Sequence, residues 1–199
     1  MGPTEINGLP AHVLLVHVVV ILVPLAALLV VLAAVWPAAR RRLGLITPLV
    51  ALVALISVPV TTHAGEWLEK RVSSDPLVRR HTELGGELLP WVIGLFVLAL
   101  AGWLWAGYSS GGWPFVRTGA SAGSGAMAGA GEGSAAGGAS AVTKAPARGA
   151  GLAVMIVLAV LSVAVSVGAV VQVYRIGDSG AKAVWDGSFS QTPQAQSKG

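Results

Sequence analysis

The chain has 199 residues, of which 54% are hydrophobic and 11% charged, with 13 Lys and Arg against 9 Asp and Glu. Soluble domains carry roughly 25% charged residues, and a core of this size cannot absorb so much apolar surface. A soluble enzyme domain and a disordered chain are thereby excluded, and lipid is the second solvent. The net charge of +4 is dispersed between apolar runs, a pattern that suits topology signals and anionic headgroups and argues against nucleic acid as a partner. Cysteine is absent, which removes disulfides, thiolate zinc sites, iron–sulfur clusters and covalently attached haem.

The opening MGPTEING has no Lys or Arg, and the apolar run behind it is too long for a cleaved signal, so that run is predicted as a retained helix. Ile6 stands where a myristoylation signal needs Ser or Thr. Asp, Glu, Lys and Arg leave four gaps, at 6–39, 43–65, 88–116 and 149–174, each able to hold the ~20 apolar residues of a membrane crossing. Spans are predicted over 11–36, 43–62, 84–106 and 150–173. Pro10 and Pro48 fall in first turns, whereas Pro24, Pro59 and Pro90 are expected to kink or loosen their helices. Arg40, Arg41 and Arg42 in the first connection, opposite a tail without basic residues, place both termini outside a cell membrane. Trp36, Trp91, Trp103, Trp105 and Trp113 lie near span ends, at headgroup level.

The predicted organisation is an all-α, four-span, up-and-down bundle. Residues 1–106 hold spans one to three with an extracytoplasmic helical hairpin near 63–83. Residues 107–149 form a Gly, Ala and Ser-rich flexible linker, 150–173 the fourth span, and 174–199 an outer tail. In that tail Gly177 is expected to end the helix, with Asp178 or Ser179 capping a short amphipathic segment that carries Trp185.

The hairpin is the most informative stretch. Asp75-Pro76 reads as an N-cap followed by a first-turn proline, and the turn falls at Ser73-Ser74. Leu77, His81, Leu84 and Leu88 recur on one helical face, and Glu66 and Lys70 stand i, i+4 on a helix that outruns His63. All four histidines belong to this end. His17 lies inside apolar sequence, where an ionisable group is expected to point into the bundle. His63 comes level with Gly85 and Gly86, which open a notch for a planar cofactor or an ion. His12 falls on a different face from His17 and reads as an interfacial residue.

The predicted site is therefore His17, His63 and His81, with Gly85 and Gly86 giving space. Paired imidazoles from different helices provide the axial ligands of a b-type haem; neutral imidazoles with Glu66 provide a zinc or copper site. The rival reading is a non-catalytic structural or accessory subunit whose histidines serve polar packing. No catalytic residue is assigned, since no nucleophile, base and acid stand in a credible order.

The strings NGLPAHVLLVHVVVILVPLAALL, THAGEWLEKRV, VRRHTELGG and RIGDSGAKAVW together resemble the bacterial integral membrane family catalogued as domain of unknown function 2231. The likeness covers residues 7–106 and 150–186, and the Ala-rich, Lys-poor usage is similar to that of actinobacteria. The resemblance implies a four-helix membrane protein, some relatives looking like haem-binding cytochrome bundles, with His12, His17, His63 and His81 as the positions of interest. Relatives often carry His where this chain has Asp178. The lipid bilayer and a membrane redox or assembly partner are the implied partners.

Overall fold

A computed structural model describes residues 5–6, 8–72, 75–109 and 148–187. Glu5–Ile6 (β1) and Leu9–Pro10 (β2) make a two-residue antiparallel pairing that leads into α1, Ala11–Val35. Pro10 is the N-cap of this helix, and Pro24 lies within it. Trp36 is extended, and Pro37 then starts a short helix, α2, Pro37–Leu43, at the first-turn position that tolerates proline. This helix carries Arg40, Arg41 and Arg42 in a stretch that charge spacing alone left as a connection. Gly44, at φ +47, supplies the left-handed residue that turns the chain into α3, Ile46–Glu69.

α3 runs on past His63, as expected. Beyond its end the Arg71 guanidinium lies 3.8 Å over the Trp67 ring and donates to the Trp67 carbonyl at 2.9 Å. Residues 73 and 74, the expected turn, lie outside the described residues. Asp75 caps α4, Pro76–Gly86, its Oδ1 accepting the Leu77 N–H at 2.6 Å. Glu87 interrupts the helix, and α5, Leu88–Ser109, follows. That interruption corrects the expectation for Pro90, which occupies the first turn of α5, where its missing N–H costs nothing.

α6, Arg148–Trp185, is continuous through Gly177, so neither Asp178 nor Ser179 caps a new helix. A single glycine costs a helix only about 1 kcal/mol, and the contacts of Ser179 and Gly180 described below hold this turn in place. The edges of the 107–149 segment are helical; the remainder, Trp113 and the tail beyond Gly187 lie outside the described residues.

Four helical stretches, Ala11–Val35, Ile46–Glu69, Pro76–Ser109 and Gly151–Trp185, are long and apolar enough to cross a membrane. The chain is an all-α polytopic bundle in which α4 and the end of α3 form an extramembrane hairpin. α1, α3, α5 and α6 pack in that order around the bundle, and α1 and α5 face each other across it.

The interior is made of small residues. Val19, Val23, Ala26, Ala27 and Val30 of α1 meet Ala51, Ala54 and Val58 of α3, Val92, Leu95 and Ala99 of α5, and Ala169 and Val173 of α6. Larger apolar residues such as Ile21, Leu28, Ile56, Val97 and Ile156 face outward. Among membrane helices association gains from close backbone approach, because lipid already solvates leucine and isoleucine. Gly168 shows this directly: the Trp91 ring occupies the place of its missing Cβ. Deeper in the bundle, Ser166 Oγ donates to the Ala27 carbonyl at 3.2 Å.

Candidate functional site

The hairpin end brings two imidazoles together, and they are His12 and His81. Their ring centres lie 6.1 Å apart with planes at 83°. His12 stands in the first turn of α1, seven residues before buried Val19 and hence on the same face of the helix. His81 lies on the Leu77, Leu84, Leu88 stripe, which is the inward face of the α4–α5 line. Since α1 and that line are across from each other, the pair bridges the bundle's axis.

Each ring is fixed by its Nδ1. His12 Nδ1 is 3.0 Å from the Thr61 carbonyl, and His81 Nδ1 is 3.1 Å from the Ile176 carbonyl and 3.1 Å from Ser179 Oγ. A carbonyl only accepts, so both Nδ1 atoms carry the proton and both Nε2 atoms keep a lone pair. Ser179 Oγ also donates to the Ile176 carbonyl at 2.8 Å, leaving its lone pairs toward His81. A glycine backs each ring: a Cβ on Gly65 would come within 3.0 Å of His12, and one on Gly180 within 3.0 Å of His81. Burial holds the His81 imidazole below its ordinary value; the Ile176 carbonyl opposes this and neighbouring His12 adds to it.

Below the pair, Gln172 is 3% exposed. Its Nε2 donates to the Leu84 carbonyl at 2.9 Å and to Glu87 Oε2 at 3.2 Å, while its Oε1 accepts from Arg175 at 3.2 Å. Leu84 is in the last turn of α4, where carbonyls lack partners within the helix, so α6 satisfies the α4–α5 break from the side.

The predicted cluster of His17, His63 and His81 is not assembled. His17 is exposed, and its Nδ1 donates to the carbonyl of its own helix at Val13, 2.8 Å away. His63 is exposed because Thr61 and Ala64 take the buried face of that turn. Gly85 and Gly86 have open space where Cβ atoms would be, with no His63 atom within 4 Å of it. Glu66 is exposed. His12, read from sequence as interfacial, is the missing partner. α1 is apolar on every side, so periodicity could not tell which of its histidines faced inward; stepping back from Val23 and Val19 by three or four residues reaches His12. Among the described residues no three His, Cys, Asp or Glu side chains converge.

Asp178 is exposed and paired with Lys182 at 2.7 Å. Compared with protein-family models, with curated proteins and with solved structures, the chain matches none.

Proposed function

We propose that this chain is a multi-pass protein of the bacterial cell membrane whose His12 and His81 are the two protein ligands of a redox centre, a b-type haem, at the outer end of the bundle. The observation that carries the reading is the separation of the rings. Their centres stand 6.1 Å apart, and with both Nδ1 atoms on backbone carbonyls the Nε2 lone pairs of His12 and His81 would be the atoms that hold the group. Nδ1–H on a backbone carbonyl is also how ligating histidines are commonly held.

The donor set suits haem better than a bare ion. Structural zinc asks four ligands of the protein, whereas a porphyrin brings four nitrogens and asks only two axial ligands. When bound, such a group would supply one-electron chemistry; the chain's own residues fix the imidazoles and, through Gly65 and Gly180, keep the helices close behind them. Membership of the domain of unknown function 2231 family and actinobacterial origin belong to the same proposal, as does a membrane redox or assembly partner. Arg40, Arg41 and Arg42 in α2 orient the opposite end to the cytoplasm, so an extracytoplasmic reporter fused after Lys198 should be active.

The test is the absorbance of the purified full chain titrated with haem. The expected result is a saturable, reducible six-coordinate spectrum. His12→Ala and His81→Ala should each lower occupancy by at least ~10-fold, while His17→Ala and His63→Ala leave it unchanged. A chain that stays colourless, with His12→Ala and His81→Ala melting below the parent, would overturn the haem reading in favour of histidines that serve polar packing.

A further inference from the structure

A groove of about 220 Å³ runs between α4 and α6 on the flank of the hairpin end. Arg80 reaches it from α4, and Arg175 and Lys182 from α6. The carboxylate along it, Asp178, is already held by Lys182 at 2.7 Å, and Arg80 has a 4.0 Å contact with Glu83, a residue outside the groove. The lining is thus cationic. Its position along α6 is equally specific: residues 151–173 carry no charge, and Tyr174 and Arg175 follow at once, which sets the groove at headgroup level. Leu77 and Leu84 give it an apolar floor.

We infer that this groove binds the phosphodiester headgroup of an anionic phospholipid, Arg80 and Arg175 taking the phosphate and Leu84, one turn nearer the apolar span, the start of the acyl chains. Charge complementarity and the level of the site select this occupant: a soluble phosphate would need the cations but neither the leucines nor the membrane boundary. The inference uses different cations from the imidazole pair, though Ser179, which holds His81, also borders the groove.

Native mass spectrometry of the detergent-purified full chain tests it, with phosphatidylglycerol, phosphatidylcholine and inorganic phosphate as probes. Phosphatidylglycerol should be retained in preference to phosphatidylcholine, more weakly as salt is raised, and millimolar inorganic phosphate should not displace it. Arg80→Gln and Arg175→Gln should each weaken retention about fivefold. Arg79→Gln, an equal charge change on the same hairpin outside the groove, should leave it unaltered. Equal retention of the two lipids, equal loss in Arg79→Gln, or displacement by inorganic phosphate would each overturn the assignment.

Discussion

At the hairpin end of the bundle, α1, α3, α4 and α6 each bring a polar group or a bare glycine to one small volume: His12, Thr61 and Gly65, His81, Ser179 and Gly180. At the other end α2 simply turns the chain. There Arg40 donates to Met155 Sδ at 3.0 Å, and the hydroxyl of Thr47, 3% exposed, finds no hydrogen-bond partner among the described residues. Both ends bury polar atoms, yet only the first satisfies them across several helices. Networks of that kind hold a single geometry, because each member left unpaired in a low dielectric is costly. The contrast marks where this molecule invests in precise positioning.

Its sharpest consequence lies in two buried polar residues. Gln172→Leu should lower stability by about 1–3 kcal/mol, since it strands the Leu84 carbonyl at the helix break. Thr47→Val should be neutral or stabilising by up to about 1 kcal/mol, because it removes a hydroxyl that has no partner. Thermal melts of the two variants in one detergent measure the difference; equal losses would erase the distinction between the ends.

The glycines give the next effect. Gly65→Ala and Gly180→Ala press a methyl to within 3.0 Å of an imidazole and should cost about 1 kcal/mol or more through overpacking, with the rings shifted in histidine NMR spectra. Gly85→Ala and Gly86→Ala meet open space and should be neutral or gain up to about 1 kcal/mol from helix propensity.

A smaller effect follows pH. His81 is held below its ordinary value by burial, whereas the unfolded chain takes up that proton near pH ~6.5. The unfolded state therefore binds more protons as pH falls below that point. Stability is constant above it and is lost on acidification through the window down to the folded value. Melting points of the parent should drop as pH falls below about 6.5, and those of His81→Gln should drop less. Smallest of all, Asp178→Asn removes an exposed i, i+4 pair and should change stability by no more than about 0.5 kcal/mol, read in the same melts.

What could be read from sequence divides along the same line as the physics. The α4 helix announced itself because it is amphipathic: Asp75 and Pro76 mark its start, and Leu77, His81 and Leu84 stand out against Arg79, Arg80 and Glu83. The spans were legible as spans through their lack of charge. Their facing was not, because α1 carries Val and Leu on all sides, and the inward side is distinguished by smallness more than by hydrophobicity. Hydropathy therefore points to His17, deep in the apolar run, although His12 is the one that faces inward. Proline at 37 was the available signal for α2, hidden by treating the arginines as a loop. The unbroken α6 was hidden by Gly177, whose intrinsic preference the docking of Ser179 and Gln172 onto α4 overrides.

The placement of His81's partners on α6 sets an order of assembly. The first three spans end at Ser109, and the helix that carries Ile176 and Ser179 starts only at Arg148. Until that last helix has been inserted and docked, His81 has neither acceptor, Gln172 cannot close the α4–α5 break, and Gly180 does not back the ring. The ring pair is therefore completed only when α6 docks, and a chain halted after three crossings has the acceptor of His12 on Thr61 but leaves the His81 imidazole untethered.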